Sequence, residues 1–373
     1  MQNSFCKKAL VVGIVAVFIG FGAIPSSGMQ TDNKSIKLSN LGNILYVGGS
    51  GGGNYSTIQS AIDNANNGDT VFVYDDSSPY YENLIIDKSI ILIGENEETT
   101  VIDGGGTGEI IYVSADNATI GKFTIQNSEF DGILISQEDH PPWDNEIKNA
   151  NIYNNNIKKV SRGIFGITLQ DSMIYGNKID DIDTGIMLGY SSNNNISGNY
   201  ITNARYRGIE IMGYFSLNEF YDKIHDLVYP TAKNNIIYRN TVENNRWGIH
   251  IWGGCINTKI IENNILDNHE IGIELYSSTN TEIRRNNFIQ NENHEGYVHS
   301  FFTVINKFSQ YFTNLWDENY WSGENYEKSI RINGEFIFII SFPLSDNDFL
   351  EMDVFNLPLI KIDWHPASEQ YDI

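Results

Sequence analysis

The stretch GIEIMGYFSLNEFYDKIHDLVYPTAKNNIIYRNTVENNRWGIHIWGG, residues Gly208 to Gly254, states one phrase twice. GIEIMG at Gly208 returns as GIHIWG at Gly248, with aromatic and acidic residues between. Working outward, the pattern N-x-I followed some eight residues later by G-I brings up six rows: NNIKKVSRGI from Asn155, NKIDDIDTGI from Asn177, NYITNARYRGI from Asn199, NTVENNRWGI from Asn240, NNILDNHEIGI from Asn263 and NNFIQNENHEGY from Asn286. The steps are 22, 22, 41, 23 and 23 residues, and a looser row begins at Asn117. Short β-branched runs with Asn or Gly at the corners and a period near 23 predict a solenoid, in which no coil buries its apolar face without its neighbours. The i, i+3, i+4 stretches of helical repeats are missing.

The Asn column has two physical reasons at this level: tolerance of a left-handed corner, and an amide that bonds the same amide one coil away. Coils spaced by about 4.8 Å make such ladders continuous. Ile179, Ile201, Val242, Ile265 and Phe288 are the matching inward column. One register stays open, because Gly163 and Gly166 compete for the corner of their coil. YSTIQSAIDNANNGD predicts a capping helix with Ser56 as N-cap and Ile58, Ala61, Ile62 and Ala65 on its apolar face. Strands follow at TVFVY, NLIID, SIILIG and TVIDGGG.

ILYVGG with YSTIQSAIDNANNGDTVFVY and YYENLIIDKSIILIGENEETTVIDGGG resembles the N-terminal cap and first coils of the right-handed parallel β-helix superfamily, which includes pectin-degrading enzymes and periplasmic copper-binding NosD-type proteins. NLWDENYWS at Asn314 is similar to the segment that closes many such helices, and DWHPASEQYDI at Asp363 to the ending of a set of archaeal β-helix proteins. The resemblance implies an all-β, right-handed parallel β-helix with an N-terminal helical cap. It covers residues 44–321, followed by a closing segment at 322–373. Its bearing on function is weaker, since one scaffold carries lyases, hydrolases, esterases, metal-delivery proteins and pure binders. An arginine acting as base in the lyases of this fold makes Arg207 a residue of interest.

The chain of 373 residues carries a net charge of −23, which repels phosphate backbones and disfavours nucleic acid as a partner. It also disfavours a polyanionic sugar. Lys7 and Lys8 precede the apolar run Ala9–Ile24 and the exit PSSG, so residues 1–29 are expected to be a secretion signal or an uncleaved membrane anchor, and the protein secreted or held at the cell surface. Cys6 precedes that run, which leaves Cys255 without a disulfide partner in the mature chain.

In G-I-x-I the two apolar residues point inward, so the residues between and after them face out. One outward column runs Met187, Glu210, His250, Glu274, and the next Gly189, Met212, Trp252, Tyr276. Glu210, His250 and Glu274 are the candidate catalytic group: two carboxylates two coil steps apart for acid/base cleavage of a sugar linkage, with an imidazole to shuttle the proton. Trp252, Tyr276, Arg207 and Tyr214 are the candidate substrate-binding residues. The bland alternative is a solvated row with favourable cross-strand charge pairing. Two insertions, Gly213–Ala232 and Gln137–Glu146, leave the coils just after G-I-x-I strands and are expected to wall that face. Asp222, His225 and Asp226 have the donor types to hold a divalent cation, without a dense metal motif. Two readings result: a protein that binds, and as a lyase or glycoside hydrolase cleaves, a neutral or weakly charged polysaccharide, or a metal-handling or structural surface protein. Met212, His250 and Cys255 form only a sparse copper set.

Overall fold

Each row of the repeat becomes one coil. The structure, a computed structural model, describes residues 42–137, 145–213, 232–276, 278–292, 294–303, 314–321, 330–343, 349–363, 367 and 370–373. All belong to the unit Leu41–Ile373. The signal-like run, most of both insertions, and with them Tyr214, Asp222, His225 and Asp226, lie outside the described residues. Among the described residues no helix is long and apolar enough to cross a membrane.

Ile44–Val47 pairs in parallel with Thr70–Val73, which pairs with Ile91–Gly94, and this sheet continues coil by coil to Leu315–Asp317. A second, larger sheet holds the N-x-I and G-I-x-I segments. They are continuous in the long strands Asn156–Ile167, Lys178–Gly189 and Tyr200–Met212, and split into Thr241–Glu243 with Trp247–Trp252, and Asn264–Leu266 with Ile271–Tyr276, in the coils after. The fold is thus the expected all-β parallel solenoid. Ile179, Ile201, Val242, Ile265 and Phe288 stack in register and are fully buried. Each such side chain contributes roughly 1.5–3 kcal/mol of transfer free energy.

The Asn row is a single ladder. The side-chain carbonyl of Asn240 accepts from both the backbone and the amide of Asn199 at 2.9 Å, and Asn240 donates in turn to Asn263. Asn155, Asn177, Asn286 and Asn319 extend the chain of bonds. The ladder Asn do not themselves adopt the left-handed corner expected of them. The left-handed residue is the one before each ladder Asn: Asn154, Gly176, Gly198, Arg239, Glu262, Arg285 and Glu318 all have φ between 50° and 64°. The ladder Asn are kept for buried hydrogen bonding, and the exposed corner tolerates several residue types.

The open register resolves in favour of Gly163. Arg162 pairs with Thr184 and Ile164 with Ile186, so Gly163 is the row glycine, while Gly166 sits opposite Leu188 and leaves room that Leu188 and Leu169 fill. Row glycines exist because coils touch there: a Cβ on Gly248 would lie 2.4 Å from the carbonyl oxygen of Gly272.

At the front, the helix Ile58–Asn64 buries Ile58, Ala61 and Ile62. Its N-cap is Thr57, whose hydroxyl accepts from the backbone of Ser60, rather than Ser56. Glu82 accepts from the N–H groups of Ile58 and Gln59, and the Lys88 ammonium donates to the carbonyls of Ile62 and Asp63, so the following coil satisfies both helix ends. At the rear, Phe288 stacks on Trp321 with ring centroids 4.3 Å apart, and Trp316 lies beside both. Ile330–Pro343 then pairs in parallel with His294–Thr303 and antiparallel with Phe349–Asp363.

Candidate functional site

The strands Tyr200–Met212, Trp247–Trp252 and Ile271–Tyr276 place Glu210 opposite His250 and His250 opposite Glu274, with Met212, Trp252 and Tyr276 in register beside them. Both columns read from the G-I-x-I alternation therefore exist as read. Their environment differs from the expectation of a solvated row. Glu210 is 3% exposed and His250 7%. Side chains rather than solvent surround them, because Arg207 and Trp252 fold over the carboxylate.

Two hydrogen-bonding groups and one cation converge on one oxygen. Oε1 of Glu210 accepts from the indole Nε1 of Trp252 at 2.7 Å, faces Nδ1 of His250 at 3.2 Å, and lies 3.4 Å from Nε of Arg207. Burial opposes the charge on Glu210, yet the His250 hydrogen bond, the Arg207 charge and the Trp252 indole outweigh it and hold the carboxyl below its ordinary value. Glu210 is therefore an anion at neutral pH, and Nδ1 of His250 carries the proton between them. The other ring nitrogen, Nε2, lies 3.4 Å from Oε2 of Glu274, whose side chain is more exposed, at 17%.

The imidazole lies nearly parallel to the Trp252 indole, with centroids 6.2 Å apart and planes at 14°. On the strand side of Arg207, one further residue belongs to the site. Trp247 pairs with Arg207 and takes the guanidinium of Arg207 at 5.2 Å and that of Arg246 at 4.2 Å over its ring. It was not selected from the sequence, although setting YRGI above RWGI puts it directly across from Arg207. Arg162, beside an earlier row glycine, is engaged differently: Asp131 grips it at 2.6 and 2.9 Å and its guanidinium covers Phe165.

Cys255 is no partner for a metal here. It is fully buried, its thiol donates to the carbonyls of Trp252 and Ile211, and burial pushes its pKa up to about 12. Among the described residues no group of three His, Cys, Asp or Glu side chains is arranged to hold a metal ion.

Two continuous parallel sheets running coil by coil define a β-solenoid. The chain belongs to the family described as the right handed beta helix region, which it matches over residues 90–226 and 212–319. Among solved structures it is similar to the A-module of the mannuronan C-5 epimerase AlgE6 of Azotobacter vinelandii, at 15% identity and a TM-score of 0.52 over 70% of this chain and 71% of that one. It also overlays the enzymatically active domain of tailspike protein 2 of bacteriophage CBA120, at 11% identity, a TM-score of 0.49 and 80% of this chain against 43% of that one. A polygalacturonase of Erwinia carotovora overlays at 12% identity and a TM-score of 0.42, over 80% and 93%. At 15% identity the likeness to the epimerase module shows the fold and leaves the chemistry to the site. No curated protein sequence matches the chain.

Proposed function

We propose that this protein acts outside the cytoplasm on an extended polysaccharide laid against the G-I-x-I face, and that it cleaves that polymer by proton transfer at the His250–Glu274 pair. The observation that carries the reading is the ordered line Arg207 and Glu210, His250, Glu274 on three consecutive coils, flanked by Trp252 and Tyr276. A purely structural row has little reason to bury an anion and an imidazole beside partly exposed aromatic rings.

Roles follow from environment. A proton donor to a glycosidic oxygen needs a raised pKa, and Glu210 has the opposite. Glu210 is the positioning residue: it fixes the tautomer and plane of His250, as a carboxylate behind an imidazole does elsewhere. Glu274, the more exposed carboxyl, lies 3.4 Å from Nε2 and is the group placed to exchange a proton with the substrate. Trp252 and Tyr276 offer flat apolar surface to sugar rings, and Arg207 keeps Glu210 charged. The apolar run Ala9–Ile24 behind Lys7 and Lys8 supports export. That the structures overlaid above include a mannuronan epimerase and a polygalacturonase by name supports a carbohydrate ligand.

The test is a polysaccharide panel incubated with the wild type and with the His250→Asn and Glu274→Gln variants. Wild type is expected to release oligosaccharides, and each variant to lose at least about a hundredfold in turnover while still retaining the polymer. New reducing ends without ultraviolet absorbance mark hydrolysis, and an absorbing unsaturated end marks elimination. Retention without cleavage by the wild type reduces the protein to a binder, and retention of no polymer ends the reading.

A further inference from the structure

A furrow with a volume of about 1040 Å³ runs along the solenoid at the corner before the G-I-x-I strands. Its floor is apolar and narrow: Val160, Ile182 and Ala204 stack in register and are almost fully buried. One wall is made by Lys159, Asp181, Asn203 and Asn244, each at a left-handed corner with φ of 55–56° that throws its side chain outward. The wall is braced from below, since Asn244 donates to Asn203 and Asn203 donates to Asp180. The opposite wall is braced by ion pairs, Arg205 to Asp183 at 3.1 Å and Arg246 to Glu270 at 2.7 Å. From the coil of Ser128 to that of His269 the furrow spans six coils, or roughly 24 Å at the strand spacing of a sheet.

Its charge is out of keeping with the chain. Against a net charge of −23 overall, the furrow sets the carboxylates of Glu129, Asp181, Asp183 and Glu270 against the cations of Lys159, Arg205 and Arg246, with His269 beside them. A polyanion seeks a positive groove and a polycation a negative one, and this groove is neither. Paired carboxylate acceptors and guanidinium or amide donors at short intervals suit a ligand whose groups both donate and accept, which is what a row of hydroxyls does. A strip of small apolar side chains between them suits the C–H face of a sugar ring. The furrow also reaches the site already described, because Arg246 on its wall covers the Trp247 ring that Arg207 covers next to Glu210.

We infer that the furrow is an axial binding subsite for a neutral, hydroxyl-rich polysaccharide, holding the unreacted length of the polymer whose linkage is presented to His250 and Glu274. The inference rests on the polysaccharide reading and adds where the polymer lies, which way it runs and that it is uncharged.

The experiment uses the full chain in affinity gel electrophoresis with two neutral polymers, galactomannan and hydroxyethylcellulose, and two anionic ones, alginate and polygalacturonate. Asp183→Asn and Arg205→Gln are the furrow variants. Both residues lie at the surface, outside the reacting column, and circular dichroism checks their folding. Wild type is expected to be retarded by a neutral polymer and not by the anionic ones. Each furrow variant is expected to bind it about tenfold more weakly, the loss of one charge-assisted hydrogen bond. Equal retardation of wild type and both furrow variants overturns the furrow and leaves the polysaccharide reading standing. Retardation by the anionic polymers alone overturns the neutral substrate, and retardation by none of the four overturns both.

Discussion

Glu210 is where the chemistry of this surface concentrates. It is a buried anion with two hydrogen-bonding partners and the Arg207 cation at one oxygen, and its folded pKa lies below the ordinary value because these outweigh burial. The sign of the linkage follows. A carboxyl with a depressed folded pKa contributes stability that is fully present above the unfolded value, about 4.3 for glutamate, and is lost as pH falls through the folded one. Glu210→Gln keeps the shape and an acceptor for Trp252 but removes the charge that Arg207 and His250 face. It should cost roughly 1–3 kcal/mol at pH 7, the range for an unsatisfied buried charged partner. Urea midpoints measured from pH 7 down to pH 3 should show the gap between variant and wild type closing only below the ordinary glutamate range. A gap that is constant over that span would mean that the charge of Glu210 stabilises nothing. The column itself was legible in the sequence, because strand alternation fixes which residues face out. Its burial was not, since alternation says nothing about a neighbouring Arg or Trp folding back over an outward carboxylate.

The coil is the unit at the next scale, and its corners show what a repeat does and does not reveal. The period and the Asn row were readable because identical residues recur at one spacing. Of the two reasons for the Asn, the amide ladder holds, and the corner was misplaced by one residue because ladder position and left-handed corner are adjacent in sequence and both admit Asn. The structure separates them: Asn240 is fully buried and bonded on both sides, whereas Asn244 is exposed with φ of 56°. The two should therefore respond oppositely to substitution. Asn240→Ala strips the acceptor from two donors of Asn199 and removes donors to Ile196 and Asn263, at a cost of roughly 3 kcal/mol or more. Asn244→Gly relieves a left-handed residue and should stay within about 0.5 kcal/mol of wild type. Equal losses in chemical denaturation would remove the distinction between ladder and corner. The extra residue of the row from Asn199, unexplained by the period, is a local slip: pairing with the preceding strand shifts between Ile182 and Thr184, which carries Arg207 into line with Thr184 and Trp247.

Across the whole solenoid the 41-residue step between Asn199 and Asn240 interrupts the period, and the coils on either side say what happens without it. Gly189 pairs with Met212, and Met212 with Trp252, so Gly213 follows its strand as Tyr190 follows Gly189. On the far side Lys233 donates to Ser192 and Asn235 accepts from Asn194, which sets Lys233 on Ser192 and Asn235 on Asn194. Between Gly189 and Ser192 lie two residues, Tyr190 and Ser191, and their counterparts are Gly213 and Ala232. Removing residues 214–231, eighteen in all, therefore joins two positions that are consecutive in the preceding coil, and the step falls from 41 to 23, the value of the next two rows. Gly213 also keeps its hydrogen bond to the Trp252 carbonyl, and Ala232 its place in the core. The excised protein should keep its β-sheet circular dichroism and a cooperative thermal transition, since no ladder or core column is cut. If the insertion walls the G-I-x-I face, the same variant should bind a retained polymer more weakly while the furrow variants' phenotype persists. A deletion that aggregates or melts without cooperativity would show that the insertion holds the coils together, and the repeat on its two sides would then be two stacks rather than one.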